Sequence, residues 1–209
     1  MKIGHFITFE GGEGVGKSTQ ARLLADRLKV AGHVVVVTRE PGGTPLAEKI
    51  RDLILQQRPK SPEAEFLMFA AARAEHLSAV IRPALEAGQT VICDRFIDST
   101  RVYQGDVFGV ERALILAVEQ LVVAPTIPDL TIVLDLDPTV GLKRAAERGT
   151  LSRYDKARIE IHDDLRQGFL TIAQSEPDRC VIIDAARSVD VIAADVWTAV
   201  AARLVPACG

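Results

Sequence analysis

Short apolar runs alternate with stretches of helical periodicity along the whole chain. His5–Glu10 (HFITFE) reads as a strand, a glycine loop follows, and a helix spans about Lys17–Val30, ended by Ala31-Gly32. His33–Thr38 (HVVVVT) is nearly continuous valine, the pattern of a strand covered on both faces. Leu46–Gln57 is amphipathic and helical. Ser61-Pro62-Glu63 opens a long helix to Ala87, with Ser as N-cap and Pro in the first turn, an interruption near Pro83 and Gly88 as the stop. Further strands are predicted at Thr90–Asp94 (TVICD), Leu130–Asp135 (LTIVLD) and Cys180–Asp184 (CVIID). Helices are predicted at Val110–Val123, Pro138–Arg148, Ala157–Ala173 and Val189–Leu204. Five strands separated by helices predict βαβ units with right-handed crossovers. The expected fold is α/β, a three-layer sandwich with a five-stranded parallel sheet and helices on both faces. No repeat, low-complexity tract or linker divides the chain, so residues 1–209 read as one domain.

Composition narrows the function classes. The 209 residues are 48% hydrophobic and 25% charged, enough to bury a core. Lys plus Arg number 25 against 28 Asp plus Glu, a net charge of −3, so no general polyanion-binding surface is expected and no nucleic-acid partner. Phosphate chemistry here must use locally gathered Arg and Lys. The apolar runs fall short of the roughly 20 residues of a membrane span, and Met1–Glu10 is too short and polar for a signal peptide. Cys93, Cys180 and Cys208 form no CxxC pair. The first two lie in apolar runs and read as buried thiols, consistent with a reducing cytoplasm.

The strongest local signal is Gly11-Gly12-Glu13-Gly14-Val15-Gly16-Lys17-Ser18, a full match to G-x-x-x-x-G-K-[ST] between a strand and a helix. In such a phosphate-binding loop (P-loop) the glycines let successive backbone N–H groups turn inward onto phosphate oxygens. Residues Gly11 to Thr19 are therefore the expected ATP-binding set, with Lys17 on the β- and γ-phosphates and Ser18 on Mg²⁺. The motif marks an NTP site without choosing among switches, motors and kinases. Asp94 ends a parallel strand at its carboxyl edge, where ligands bind in such sheets, and is a second candidate for Mg²⁺. Asp135 and Asp137 form a similar pair, although Asp before Pro138 is also an ordinary helix start.

Asp94-Arg95-Phe96-Ile97-Asp98-Ser99-Thr100-Arg101-Val102-Tyr103-Gln104-Gly105 resembles the D-R-[FY]-x-x-S-x-x-[AVC]-[FY]-Q-G signature of thymidylate kinases. Phe9-Glu10-Gly11 with Glu13, Thr38-Arg39-Glu40-Pro41-Gly42-Gly43-Thr44, and Phe69-Ala70-Ala71-Ala72-Arg73 resemble further blocks of the bacterial family, in order along the whole chain. The resemblance implies ATP-dependent phosphorylation of dTMP to dTDP by a cytoplasmic homodimer. It implies Phe69 stacked on thymine and Arg73 at the base edge, a pair sharing one helix face. Arg95 would grip the 5′-phosphate. Ser99, Thr100, Tyr103 and Gln104 would line base and sugar, Tyr103 against C2′, and Glu13 would face the acceptor nucleotide. Without the resemblance, Phe69 reads as a core position. The candidate dimer face is the helices around Phe66–Ala79 and Val110–Val123, although apolar helical stripes are usually core.

Some members of that family carry an Arg inside the P-loop, where this chain has Gly14. The rest carry arginines in a lid, and Arg148-Gly149-Thr150-Leu151-Ser152-Arg153 fits that class. A lid at about residues 148–155 is expected to close Arg153, and then Arg148, over ATP. Lys143 and Arg144 read as solvated helix charges. Two other readings compete: a kinase for another pyrimidine monophosphate, since one methyl group separates dUMP from dTMP, and a P-loop ATPase without a small acceptor. A GTPase would show N-K-x-D, which is missing.

Overall fold

A computed structural model describes residues 4–56, 61–147, 149, 154 and 157–204. Five strands form one all-parallel sheet: β1 (Phe6–Glu10), β2 (Val35–Arg39), β3 (Thr90–Asp94), β4 (Leu130–Asp135) and β5 (Cys180–Asp184), in the spatial order β2-β3-β1-β4-β5. The period-2 alternation of side chains sorts the core into two faces. Ile7, Phe9, Ile92, Ile132 and Leu134 pack with Leu24 and Leu28 of α1 (Lys17–Val30) and with Ile192 and Val196 of α9 (Val189–Leu204). Their neighbours Phe6, Val91 and Cys93 point the other way, against Leu77, Ile81, Phe96 and Ile97. Val133 meets Leu165 and Phe169 of α8 (Ile159–Ser175) on that same side. The three-layer expectation holds.

Two expectations need correction. The valine-rich strand is not covered on both faces: β2 is a sheet edge, and Val37 is 48% exposed. Continuous valine reflects a preference for extended backbone as much as burial, so it does not separate edge from centre. The segment after Asp94, which carried no predicted element, is helical: α5 (Ile97–Thr100) runs into a π-helical stretch, Arg101–Val107. The long helix from Ser61 is also divided, into α3 (Pro62–His76), a π segment (Leu77–Ile81) and α4 (Arg82–Glu86). The interruption lies just before Pro83, near where it was expected. Ser61 Oγ accepts from Ala64 N at 3.1 Å, the predicted N-cap. The remaining helices are α2 (Pro45–Gln56), α6 (Arg112–Val122) and α7 (Pro138–Glu147). Cys93 and Cys180 are free and buried, as expected, and Cys208 lies outside the described residues.

The register aligns the site. Phe9 of β1 and Arg39 of β2 both pair with Asp94 of β3, so the carboxyl ends of three adjacent strands finish level. β1 is flanked by β3 and β4, and the chain reverses its direction of travel there, the place where open α/β sheets bind ligands.

Candidate active site

The P-loop joins β1 to α1 over Gly11–Gly16. Gly11 and Gly16 take φ values of 129° and 99°, which L-residues with a Cβ rarely adopt. Gly14, at φ 68°, packs directly on α7: a Cβ there would lie 1.9 Å from the Gly141 carbonyl oxygen. No side chain fits at position 14, so the charge needed near a transferring phosphoryl group has to come from elsewhere. Lys17 Nζ donates to the Gly11 and Gly12 carbonyls at 3.1 and 2.6 Å. Burial, and then the nearby Arg95 charge, lower its pKa to about 8. Ser18 Oγ donates to Asp94 Oδ2, which places a hydroxyl and a carboxylate oxygen together at the loop's mouth. Two hard oxygen donors beside a phosphate loop fit Mg²⁺, which takes few protein ligands and fills its octahedron with phosphate and water. No cluster of three or more His, Cys, Asp or Glu able to hold a metal occurs among the described residues.

Arg95 follows Asp94 with φ 68°, a left-handed backbone that is costly for a residue with a Cβ and is found mainly where function demands it. The Arg95 N–H donates to Phe9 O at 2.9 Å, and its guanidinium donates to Gly11 O (3.1 Å), Ser99 Oγ (3.0 Å), Glu13 Oε1 (2.8 Å) and Tyr103 Oη (3.3 Å). Tyr103 Oη in turn donates to Glu13 Oε1 at 2.8 Å. Burial works against the Glu13 charge, but Arg95 and then Lys17 outweigh it and hold the carboxyl down at about 2. Burial likewise disfavours the Arg95 charge, which Tyr103, Glu13, Asp94 and Glu10 more than restore.

Glu10 supports this arrangement from beneath. It is fully buried at the end of β1 and accepts from Phe96 N (2.7 Å), Ser99 N (3.2 Å) and Ser99 Oγ (2.6 Å). It thereby caps α5 from another element and turns Ser99 toward Arg95. Burial, then the charge of Asp98, raise the Glu10 carboxyl to about 7. Asp98 in turn takes a paired contact from Arg179, 2.8 Å at each oxygen, which anchors α5 to the start of β5.

These groups open on one cavity of about 330 Å³. Lys17, Ser18, Thr19, Glu13, Asp94 and Arg95 line it together with Phe69, Arg73, Ser99, Thr100, Tyr103 and Gln104. The neighbouring Phe66 belongs to the core, whereas Phe69 is half-buried at the cavity wall. Arg73 is buried and held by Glu40 Oε2 (2.6 Å), Phe96 O and Thr100 Oγ1 (both 3.0 Å). Val15 turns into the core, and Gly11 and Gly12 face a small crevice behind the loop rather than this cavity.

Sequence reasoning missed several cavity residues. Arg39, Arg51, Leu55 and Tyr154 also line it. Arg51, which donates to Pro41 O at 2.8 Å, sits on α2 at a spacing indistinguishable from any amphipathic helix. Asp135 and Asp137 do not join the site. Arg166 binds both oxygens of Asp135, and Asp137 caps α7 through Thr139 N at 2.9 Å. Arg144 is not merely solvated but donates to Ala185 O at 3.2 Å. Arg148 and Arg153 lie outside the described residues, which include only Gly149 and Tyr154 of the expected lid.

The thymidylate kinase family profile matches residues 9–196. The chain is 52% identical over 206 residues to a thymidylate kinase of Caulobacter vibrioides, covering 98% of this chain and 99% of that one. A Deinococcus radiodurans thymidylate kinase is 47% identical over 204 residues, covering 97% and 99%. The crystal structure of thymidylate kinase from Ehrlichia chaffeensis superposes with a TM-score of 0.77 at 36% identity, covering 93% of this chain and 97% of that one.

Proposed function

The chain belongs to the thymidylate kinase family, and we propose that ATP lies on the P-loop while dTMP fills the part of the cavity around Phe69 and Arg73. The activity is ATP-dependent phosphorylation of dTMP to dTDP. The observation that supports the site reading is that Lys17, the Ser18–Asp94 pair and Arg95 line one cavity with Phe69 and Arg73. Two phosphate-bearing molecules sharing this cavity would bring their phosphates together near Lys17 and Arg95.

The roles follow from chemistry. Lys17 and the loop's N–H groups neutralise the β- and γ-phosphates of ATP. Ser18 and Asp94 would hold Mg²⁺, which would supply neutralising charge to the phosphates. Arg95 exchanges protein acceptors for oxygens of the dTMP phosphate, a role suited to a planar guanidinium. Glu13 and Tyr103 orient that guanidinium, and Tyr103 limits space at C2′. Phe69 stacks on thymine and Arg73 donates to a carbonyl oxygen of the base, with Ser99, Thr100 and Gln104 completing the wall. The acceptor phosphate has a second pKa of about 6 and is ionised at neutral pH, so no strong general base is required. Catalysis is positioning plus charge stabilisation. Since Gly14 has no room for a side chain, the remaining positive charge comes from the lid at about 148–155, Arg153 foremost and Arg148 after it.

The test is acceptor dependence. ADP formation from MgATP should rise steeply with dTMP, and far less with dUMP, dCMP or purine monophosphates. ATP hydrolysis at one rate with or without dTMP would make the chain an ATPase instead.

The reading also includes one domain over 1–209, a cytoplasmic location supported by the free thiols Cys93 and Cys180, and a homodimer. No helix among the described residues is long and apolar enough to cross a membrane. Phe66 and Ile115 of the candidate dimer helices are core, but Leu67, Leu116 and Leu121 on α3 and α6 are 50%, 47% and 83% exposed. Exposed leucines on adjoining helices fit an isologous contact. Light scattering should give the mass of two chains, and Leu116→Glu with Leu121→Glu should give one. A single-chain mass for the unaltered protein would rule the dimer out.

A further inference from the structure

The run Thr38–Thr44 is long and specific, yet the reaction as derived uses none of it. The structure shows it meeting α3 in a buried polar chain. His76, fully buried as the last residue of α3, puts Nδ1 3.0 Å from Glu40 Oε1 and Nε2 2.6 Å from Thr38 Oγ1. The other Glu40 oxygen accepts from Arg73 Nε at 2.6 Å. A carboxylate only accepts, so the His76 Nδ1–H donates to Glu40, and in the neutral ring Nε2 accepts from the Thr38 hydroxyl. The Thr38 hydroxyl, both nitrogens of His76 and both carboxylate oxygens of Glu40 then have partners.

We propose that His76 and Glu40 are positioning residues that aim the Arg73 guanidinium at the carbonyl edge of the pyrimidine, and so set selectivity for dTMP over dCMP. This rests on the reading of Arg73 as the base-edge contact. Nε is held by Glu40, and Nη2 by Phe96 O and Thr100 Oγ1. Nη1 has no protein partner among the described residues, and Arg73 lines the cavity. The guanidinium can therefore present one defined edge to a ligand. A guanidinium only donates, thymine offers a carbonyl where cytosine carries an amino group, and two donors cannot pair. Selectivity of this kind demands a fixed donor, because an Arg free to swing could avoid the amino group. Gly43 gives independent support. A Cβ on it would lie 2.5 Å from His76 Nε2 and 2.7 Å from Thr38 Oγ1, so the motif's second glycine is the room in which His76 sits.

The experiment compares kcat and KM for dTMP, dCMP and ATP in four single variants and one double variant. His76→Phe keeps the ring and loses both nitrogens. It should raise KM for dTMP about tenfold, the scale of a lost hydrogen bond to a charged group. It should narrow the dTMP-over-dCMP preference by a similar factor, with kcat and KM for ATP within about twofold. His76→Asn, whose amide nitrogen reproduces Nδ1, should restore most of the preference. Glu40→Gln, which keeps the shape, should narrow it even if His76→Phe fails to fold. In an Arg73→Gln background, already low in preference, His76→Phe should change nothing further. The proposal is overturned if His76→Phe leaves the preference intact, or lowers kcat and worsens both KM values alike, or acts equally in the Arg73→Gln background. If Arg73→Gln itself keeps the preference, the reading of Arg73 falls, and the proposal with it.

Discussion

Lys17→Ala should abolish turnover, with kcat falling about a thousandfold or more while the fold survives. The two halves of that expectation have separate causes. Among the described residues the Lys17 ammonium has no carboxylate within bonding distance. Nζ donates only to the Gly11 and Gly12 carbonyls of its own loop. Its pKa is lowered to about 8 by burial and by Arg95, which means that the folded protein holds this charge at a cost. Removing it should leave the melting temperature unchanged or higher. The same charge is needed once phosphates arrive, because the loop's remaining donors are neutral N–H groups. Thermal unfolding and steady-state rates on Lys17→Ala, with the size-matched Lys17→Met beside it, check both halves. Retained turnover would remove Lys17 from the mechanism.

Arg95→Ala has the second largest expected effect, a fall in kcat/KM for dTMP of about a hundred- to a thousandfold. Four neighbours hold this guanidinium in place, and a left-handed backbone brings it there. Alanine frees Glu13 and Tyr103 from their partner but leaves the buried anchors of α5, Glu10 and the Asp98–Arg179 pair, untouched. The loss should therefore fall on dTMP and not on the affinity for ATP. Arg95→Lys should recover little, since an ammonium is a point charge and cannot span two phosphate oxygens. Saturation curves for each substrate separate the effects, and wild-type KM for dTMP in Arg95→Ala would refute the assignment.

The parts of the site legible in the sequence are those where chemistry and chain order coincide. The P-loop reads directly because glycines, lysine and serine must be contiguous to wrap a phosphate. Asp94 and Arg95 read because they terminate an apolar strand. Phe69 and Arg73 read because four residues is one helical turn, although the family resemblance was needed to prefer a ligand over the core. What stayed hidden depends on contacts between distant segments. Arg73 and Glu40 lie 33 positions apart, His76 and Glu40 lie 36, and Ser99 and Glu10 lie 89. No local pattern marks Glu10 as the cap of α5 or Arg51 as a cavity residue. Strand order was equally invisible: the valine run, expected to be covered on both faces, lies at the sheet edge with Val37 half exposed.

The central claim is direct transfer between two nucleotides, and following the transferred group tests it. With γ-labelled ATP, Mg²⁺ and dTMP, the label should appear in dTDP, with little in inorganic phosphate. Label released chiefly as phosphate, at a rate indifferent to dTMP, would contradict the account and leave only an ATP site.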